Sequence, residues 1–352
     1  MRLPTKQTSK PRNNRVHPCH GYAVAIKTIK TMKQFQDYLD TINQAIAAIP
    51  YPRQPRQLYE PIAYHMALGG KRVRPVLALM ACDAMGGDAT AALDAALGIE
   101  MFHNFTLLHD DVMDNADVRR GKATVHRRWN ANTAILSGDT MLTLATQFIA
   151  RTGNQAVMDL FNKTAIEIYE GQQWDMDFEV RNDVTVDEYI NMIRLKTSVL
   201  LGCTLKTGAL IAGAGNEDAE TLYEAGVNMG LAFQLRDDVL DVWGDPVTFG
   251  KEIGGDIMNN KKTYLLISTM QLAKGDDANE LRRWLNDPYA SRDDKVGGVT
   301  ALYERLGVRQ LAEDAIASYN DHAVAAFNKV KMSDEDQAVF IALSNKLAGR
   351  SY

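Results

Sequence analysis

The chain has few cysteines, and it lacks the long hydrophobic runs that mark membrane proteins. Its three cysteines, Cys19, Cys82 and Cys203, are far apart and have no Cys-x-x-Cys spacing. A scattered, odd-numbered set excludes a disulfide framework and a zinc site, and it predicts a reducing, cytoplasmic environment. No run of about 18 uncharged apolar residues is present, so the sequence predicts no integral membrane segment.

Acidic side chains are absent from residues 1–31, although the chain as a whole is acidic. This segment carries seven Lys and Arg residues, so the formal net charge of −5 becomes −12 for the remainder. Such an acidic body predicts no nucleic-acid partner. The segment also lacks the apolar core of a signal peptide. We expect a basic disordered N-terminal tail at 1–31, or an upstream start before a true start at Met32, and one domain at 32–352.

Strand-like alternation is missing as well, and the sequence contains neither a GxGxxG nor a Walker-A phosphate loop. From residue 33 onward, apolar residues recur at three- and four-residue spacing, which predicts helices. Thr185 and Glu188 have the spacing of a capping box at the start of one helix. The predicted class is all-α, a single large helical bundle. Helices are expected at 33–49, 58–68, 74–85, 88–114, 138–151, 154–180, 186–213, 217–243, 261–274, 276–286, 297–329 with a break, and 333–348.

A cluster of carboxylates ends one of these helices. Asp110 and Asp114 are four residues apart, which places them on one helix face, with Asp111 at its edge. Like charges at this spacing are costly unless a cation joins them, and hard oxygen ligands suit Mg²⁺, which shares its remaining sites with substrate phosphates. A single cluster could equally be a solvated acidic helix end.

The same pattern recurs near the end of another long apolar helix, at Asp237, Asp238 and Asp241. Two copies, each behind a helix that should be buried, favour a metal site over two solvated helix ends. We therefore predict that the clusters face each other across a cavity and hold Mg²⁺ on a diphosphate. His103 lies seven residues before Asp110 and shares its face, so it becomes a candidate phosphate donor rather than a core histidine.

A bound diphosphate also needs cations from the chain. Arg suits bidentate phosphate oxygens and Lys supplies point charges, although each candidate alone could be a surface cation. Gln234, three residues before Asp237, is either a hydrogen-bond donor to the ligand or an ordinary packing residue. The candidate cations are Lys71, Arg72 and Arg74 after two glycines, Arg119 and Arg120, Lys196 beside Thr197, Lys251, and Lys261 with Lys262.

Taken in order, these motifs resemble the trans-isoprenyl diphosphate synthases, the polyprenyl synthetase family, over about residues 35–350. The resemblance is specific because half a dozen motifs occur in sequence with suitable gaps. The motifs are Gly69-Gly70-Lys71-Arg72-Val73-Arg74-Pro75, Leu107–Asp114 with Arg119-Arg120-Gly121, Gly171-Gln172, Lys196-Thr197, Phe233-Gln234-Leu235-Arg236-Asp237-Asp238, and Gly250-Lys251.

The resemblance implies an all-α bundle around a deep central cavity (the isoprenoid synthase fold), usually a homodimer, with three Mg²⁺ ions and two substrates, isopentenyl diphosphate and an allylic diphosphate. Asp110, Asp114, Asp237 and Lys196 would be catalytic. The metal set implied is Asp110, Asp111, Asp114, Asp237, Asp238 and Asp241. Residues implied to hold the allylic diphosphate are Arg119, Lys196, Thr197, Gln234, Lys251 and Lys261. Those implied to hold isopentenyl diphosphate are Lys71, Arg74, His103 and Arg120.

Product length is also suggested by the resemblance. Phe105 and Thr106 occupy the fifth and fourth positions before Asp110, and a bulky residue at the fifth position resembles enzymes with C15–C20 products. Two residues, rather than four, separate the first Asp pair from Asp114, which favours C20. Phe105 could instead be an ordinary interhelical core residue. Three competing functions remain open: a longer-chain synthase, a terpene cyclase on the same fold, and a non-catalytic subunit of a heteromeric synthase.

Overall fold

Helices make up nearly all of the regular structure in the computed structural model, which describes residues 35–245 and 253–349. The all-α prediction is therefore confirmed. In chain order the helices are α1 (35–47), α2 (Arg56–Met66), α3 (Val73–Ala84), α4 (Leu93–Met113), α5 (Val125–Arg128), α6 (Ala131–Arg151), α7 (Gln155–Val180), α8 (Val186–Ile193), α9 (Val199–Ile211), α10 (Asn216–Trp243), α11 (Gly255–Met258), α12 (Tyr264–Leu272), α13 (Asp276–Asn286), α14 (Arg292–Arg305), α15 (Val308–Phe327) and α16 (Asp334–Gly349).

The core is built around the two long helices that carry the carboxylate clusters. Helix α4 packs along α6, and α10 packs along α9 and α15. The first part of α10 contributes Leu222 and Met229 to one apolar cluster, whereas its second part contributes Leu235 and Val239 to another. Since α10 is buried on several sides, its last two turns are held firmly at the level of the second carboxylate cluster.

Helix boundaries follow the local signals where those signals are strong. The capping box at Thr185 and Glu188 is present, with the Thr185 side chain accepting from the Glu188 backbone N–H at 3.2 Å. Asp88 caps the short 3₁₀ turn Ala89–Ala92 that leads into α4. Helix α6 begins seven residues earlier than predicted, because Asn130 caps it by accepting from the Thr133 N–H at 2.8 Å.

A short β-hairpin, which the sequence did not predict, follows α4. Strands β1 (Val118–Arg119) and β2 (Lys122–Ala123) pair antiparallel across a turn. Each strand has only two residues, too few to show the alternation by which strands are recognised. The turn residues Arg120 and Gly121 both have positive φ, at 52° and 74°. The hairpin folds the chain back so that Arg119 contacts Asp111 near the end of α4 and Arg120 contacts the Gly69 carbonyl.

The predicted helix 186–213 is interrupted by one π turn. Residues Arg194–Ser198 form this turn between α8 and α9. A single turn with i→i+5 hydrogen bonds leaves the apolar periodicity on either side almost unchanged, so it cannot be recognised from the sequence pattern. Such π turns are frequent at functional sites, and this one contains Lys196 and Thr197.

Within residues 35–245 and 253–349, no helix is long and apolar enough to cross a membrane. The predicted tail at 1–31 lies outside the residues that the structure describes. The division into this tail and one domain at 32–352 stays a prediction.

Candidate active site

The first carboxylate cluster lies at the C-terminal end of α4. Asp110 faces a cavity of about 550 Å³, and Asp114 is the exposed C-cap residue of the helix. Burial, together with the nearby charge of Asp114, raises the pKa of Asp110, although Lys196 opposes this rise. The cluster therefore concentrates negative charge where a cation would be stabilised.

Asp111 points away from this cavity and is only 2% exposed. Its two oxygens both accept from Arg119 Nε at 2.8 Å, and Arg119 Nη2 lies 2.7 Å from Oδ1. The β-hairpin makes this contact possible because it returns Arg119 to the helix that it has just left. In this structure Asp111 anchors Arg119, and Arg119 in turn lines the cavity. The metal role predicted for Asp111 and the diphosphate role predicted for Arg119 stay predictions.

The second cluster likewise contains one carboxylate that lines the cavity and others that are buried. Asp237 lines the cavity, whereas Asp238 and Asp241 are buried and hold neighbouring segments. Asp238 Oδ2 accepts from the Tyr189 hydroxyl at 2.5 Å and from the Tyr264 N–H at 3.3 Å. Asp241 Oδ2 accepts from the Asp256 N–H at 3.0 Å. Both carboxylates thus fix the positions of α8, α11 and α12 around the end of α10.

The two clusters meet at one cavity, since Asp110 from α4 and Asp237 from α10 both line it. Lys261 lies in the field of both clusters. Desolvation lowers the pKa of its ammonium group, but the carboxylates of Asp256, Asp175, Asp238 and Asp114 outweigh this effect and raise it. In the part of the chain that the structure describes, no three His, Cys, Asp or Glu side chains converge as a ready-made metal site. The predicted metal ligands therefore stay predictions.

The π turn and α7 form the wall beside Asp110. Lys196 Nζ lies 2.6 Å from Asp175 Oδ2, and the Thr197 hydroxyl lies 3.5 Å from Gln234 Oε1. Lys196, Thr197 and Gln234 line the cavity, whereas Asp175 contacts Lys196 without lining the cavity. Gly171 permits the close approach of the two elements, because a Cβ there would lie 2.3 Å from the Lys196 backbone nitrogen. The predicted Lys251 lies outside the described residues.

A second cation set lines both the larger cavity and an adjoining cavity of about 440 Å³; it consists of Lys71, Arg74 and Arg120, together with His103. Arg74 Nη1 donates to His103 Nε2 at 3.4 Å. Removal from solvent and the positive charge of Arg74 lower the pKa of His103 well below its usual value, so the imidazole is neutral. Its ring nitrogens can then offer one donor and one acceptor.

The double-glycine segment brings this cation set together. Arg120 Nη1 donates to the Gly69 carbonyl, and a Cβ on Gly70 would lie 2.9 Å from the Arg120 guanidinium. Arg72, in a left-handed conformation with φ of 47°, turns inward and pairs with Glu100 at 2.5 Å. Arg72 is only 5% exposed. Arg72 lines the smaller cavity together with Lys71 and Arg74, but its guanidinium is held by Glu100 and by the Met66 carbonyl and therefore supports the segment.

One part of the larger cavity is largely apolar. Phe105, Ile168 and Leu200 line it, together with Thr106 and Tyr169. The Phe105 ring packs edge-on against Tyr169, with ring centroids 6.2 Å apart, and its centroid lies 5.6 Å from that of the tilted Phe102 ring. Phe105 is thus both a cavity-lining residue and part of the core, so the two interpretations left open by the sequence are not exclusive.

Two residues of α7 were missed as site residues. Asp175 pairs with Lys196 and also raises the pKa of Lys261. Gln172 lines the cavity, and its Oε1 is buried without a hydrogen-bond partner in the structure. Asp175 lies one helical turn after Gly171, so the Gly171-Gln172 motif already indicated that this face of α7 belongs to the site. Its partner is 21 residues away on another element, however, and the contact could not be inferred from spacing.

Comparisons with known proteins agree with the motifs. The Polyprenyl synthetase family model matches residues 55–305. The geranylgeranyl diphosphate synthase of Methanosarcina mazei is 43% identical, over 62% of this chain and 69% of its own. The enzyme of the same name from Saccharolobus solfataricus is 38% identical, over 78% of this chain and 85% of its own.

The fold agrees as well. A crystal structure of a geranylgeranyl pyrophosphate synthase superimposes with a TM-score of 0.85 at 43% identity, covering 92% of this chain and 99% of the other. The family match covers well over half of the chain and includes both carboxylate clusters, the π turn and the double-glycine segment. The chain belongs to the polyprenyl synthetase family and is a prenyl diphosphate synthase.

Proposed function

We propose that this protein condenses isopentenyl diphosphate with an allylic diphosphate and releases geranylgeranyl diphosphate, a C20 product. The observation that carries the proposal is the shared cavity: both carboxylate clusters and both cation sets reach it, the second cation set also lines the adjoining smaller cavity, and Phe105, Ile168 and Leu200 form an apolar part of its wall. The names of the similar proteins support the C20 product. A longer-chain synthase is the second candidate.

The donor set fits Mg²⁺. Asp110 and Asp237 supply hard oxygen ligands to the cavity, with Asp114 at its edge, and such clusters accept Mg²⁺ together with substrate phosphates. When bound, Mg²⁺ ions, three in our proposal, would neutralise the leaving diphosphate as Lewis acids. Asp111, Asp238 and Asp241 already form contacts within the protein. We therefore propose that they hold α4 and α10, the helices that carry the metal ligands, in position.

Each substrate has its own cations. We assign the allylic diphosphate to Lys196, Thr197, Gln234 and Arg119, with Lys251 and Lys261 completing the set. Isopentenyl diphosphate then lies against Lys71, Arg74, His103 and Arg120. Lys and Arg neutralise phosphate oxygens, and the neutral His103 contributes one directional hydrogen bond. The adjoining cavities thus orient two anionic substrates toward each other.

Reaction begins when the C–O bond to the allylic diphosphate breaks and leaves an allylic cation. The double bond of isopentenyl diphosphate then forms the new C–C bond, and one proton is lost. We assign that proton to the released diphosphate rather than to a side chain. Phe105, Ile168 and Leu200 exclude water that would otherwise capture the cation.

We also propose a homodimer located in the cytoplasm. Helices α6 and α7 expose large apolar side chains beside the site, with Leu136 59% exposed and Ile166 58% exposed. Exposed patches of this kind are typical of protein–protein interfaces. A non-catalytic subunit is disfavoured because both acidic clusters are intact. A terpene cyclase is disfavoured because the second cation set is present.

The direct test is to incubate purified protein with labelled isopentenyl diphosphate, Mg²⁺ and C5, C10 or C15 allylic diphosphates. We expect elongation that stops at C20, measured by mass spectrometry, and loss of activity on chelation of Mg²⁺. Absence of any elongated product would refute the proposed function. Products longer than C20 would identify a longer-chain synthase.

Two variants test the metal assignment. Asp110→Ala and Asp237→Ala should lower kcat by roughly a hundredfold or more, as expected when charge stabilisation in a transition state is lost. Their melting temperatures should stay near that of wild type. Asp159→Ala, which removes an exposed carboxylate from α7, is the matched control and should keep full activity. A wild-type rate in either active-site variant would show that the assignment is wrong.

A further inference from the structure

Arg236 immediately precedes Asp237, but its side chain points away from the larger cavity. The guanidinium forms a bidentate pair with Glu313 of α15, at 2.7 Å and 2.5 Å. Its Nε donates to the Ala348 carbonyl of α16 at 2.6 Å. The side chain is 14% exposed, so these three charge-assisted hydrogen bonds are largely shielded from water and are stronger than surface pairs.

The Ala348 carbonyl lies in the last turn of α16. The final four carbonyls of a helix have no partner within the helix, and positive charge near them is favourable. Arg236 supplies both the donor and the charge. It therefore fixes the end of the C-terminal helix to the helix that carries Asp237.

Leu347, the residue next to Ala348, lines the smaller cavity. It does so together with Lys71, Arg74, His103 and Arg120. Phe233, one turn before Arg236 on α10, lines both cavities. Arg236 thus holds the end of α16, and that end carries Leu347, an apolar side chain that lines the smaller cavity.

We propose that Arg236 is a positioning residue for isopentenyl diphosphate: by capping α16 it holds Leu347 against the hydrocarbon part of that substrate. The inference rests on the proposed function, since it assigns the smaller cavity to isopentenyl diphosphate. It adds a residue whose side chain contacts Glu313 and Ala348 rather than the substrate.

The contacts also predict how a change would be transmitted. Without Arg236, the Glu313 carboxylate and the Ala348 carbonyl lose their partner, and the last turn of α16 is no longer held. Leu347 would then lose its fixed position in the smaller cavity. Lys196 and Thr197 of the π turn and Arg119 of β1, which we assign to the allylic diphosphate, lie on neither α10 nor α16, so that subsite should be affected much less.

The test is a comparison of KM values for the two substrates in Arg236→Met, Glu313→Gln and Leu347→Ala. We expect the KM for isopentenyl diphosphate to rise roughly five- to twentyfold, the range for coupling between a remote residue and a ligand site. The KM for the allylic substrate should change less than about twofold, below the usual range of such coupling. In the double variant of Arg236→Met and Leu347→Ala, the effects should be non-additive because both act through the same contact.

Arg305→Met is the matched control. Arg305 also pairs with two carboxylates, Asp277 at 2.8 Å and Glu280 at 2.5 Å, but it does so between α13 and α14. Its loss should change thermal stability and leave both KM values unchanged. If Arg236→Met does not fold, Glu313→Gln and Leu347→Ala still give the comparison.

Wild-type protein assayed in the same series separates the two possible failures. No elongation by wild type would overturn the proposed function and this inference with it. Elongation by wild type, with an unchanged isopentenyl KM in the folded variants or an equal rise in both KM values, would overturn the positioning role alone.

Discussion

At the scale of single residues, Asp238 shows how position within one cluster changes the behaviour of a carboxyl group. Burial raises the pKa of Asp238 to about 7, although the hydrogen bond from Tyr189 opposes this effect. Asp237, its neighbour in the sequence, lines the cavity. Because the folded protein favours the protonated form of Asp238, ionisation should cost stability as the pH rises from about 4 toward 7.

Replacing Asp238 by Asn therefore has a predictable pH dependence. Asn can accept the same two hydrogen bonds but carries no charge. In metal-free buffer we expect Asp238→Asn to raise Tm at about pH 8, where wild type must bury the charge. This gain should disappear below about pH 4, where both folded and unfolded wild type are protonated. Calorimetry across this range checks the prediction, with exposed Asp159→Asn as control. A difference that does not vary with pH would contradict it.

Phe105 is the second residue from which a change can be predicted. It is 5% exposed and forms part of the cavity wall. Phe105→Ala should deepen the cavity and shift products beyond C20, at a cost of about 3–5 kcal/mol in stability. Phe148→Ala removes a ring that is 6% exposed on α6, and it should lower stability without lengthening the product. Mass spectrometry of the products of Phe105→Ala and Phe148→Ala checks this prediction. An unchanged distribution in Phe105→Ala would place the limit on chain growth elsewhere.

At the scale of elements, the contact between α7 and the π turn is a close packing contact beside the site. A Cβ at Gly171 would lie 2.3 Å from the Lys196 nitrogen, which is backbone and cannot move aside. Gly171→Ala should thus displace Lys196, lower kcat by roughly tenfold or more, and destabilise the fold by about 1–3 kcal/mol.

The chain offers a close control for this change. Gly297 also lies within a helix, but a Cβ there would meet nothing within 4 Å. Gly297→Ala should keep full activity and stabilise the fold by up to about 1 kcal/mol. Steady-state kinetics and denaturant unfolding of both variants distinguish the two effects. Normal kinetics in Gly171→Ala would show that the close packing does not position Lys196.

The elements also show where sequence reasoning works and where it stops. The helical periodicity of the sequence predicted that Asp110 and Asp114 share one helix face, because this prediction needs only their spacing along the chain. The same reasoning gave no sign of the π turn, because the apolar pattern continues through it. It also could not find the Asp175–Lys196 pair or the Arg236–Glu313 pair, because both join segments that only tertiary packing brings together.

At the scale of the whole molecule, the exposed apolar faces of α6 and α7 predict self-association. Leu136→Glu places a charge in the proposed interface and should convert a dimer into a monomer, as measured by light scattering with size-exclusion chromatography. Leu311→Glu is the control, since Leu311 is 42% exposed on α15, away from these two helices. A monomeric wild-type protein, or a dimer that Leu136→Glu leaves intact, would contradict this prediction.

The placement of Phe105 and Asp110 on one helix has an evolutionary consequence. They are five residues apart, or about 7.5 Å along the axis of α4. Substitutions at the level of Phe105 can alter the depth of the cavity while the carboxylates and both cation sets keep their positions. The length of the product is therefore a property that selection can adjust one helical turn at a time, without passing through an inactive intermediate.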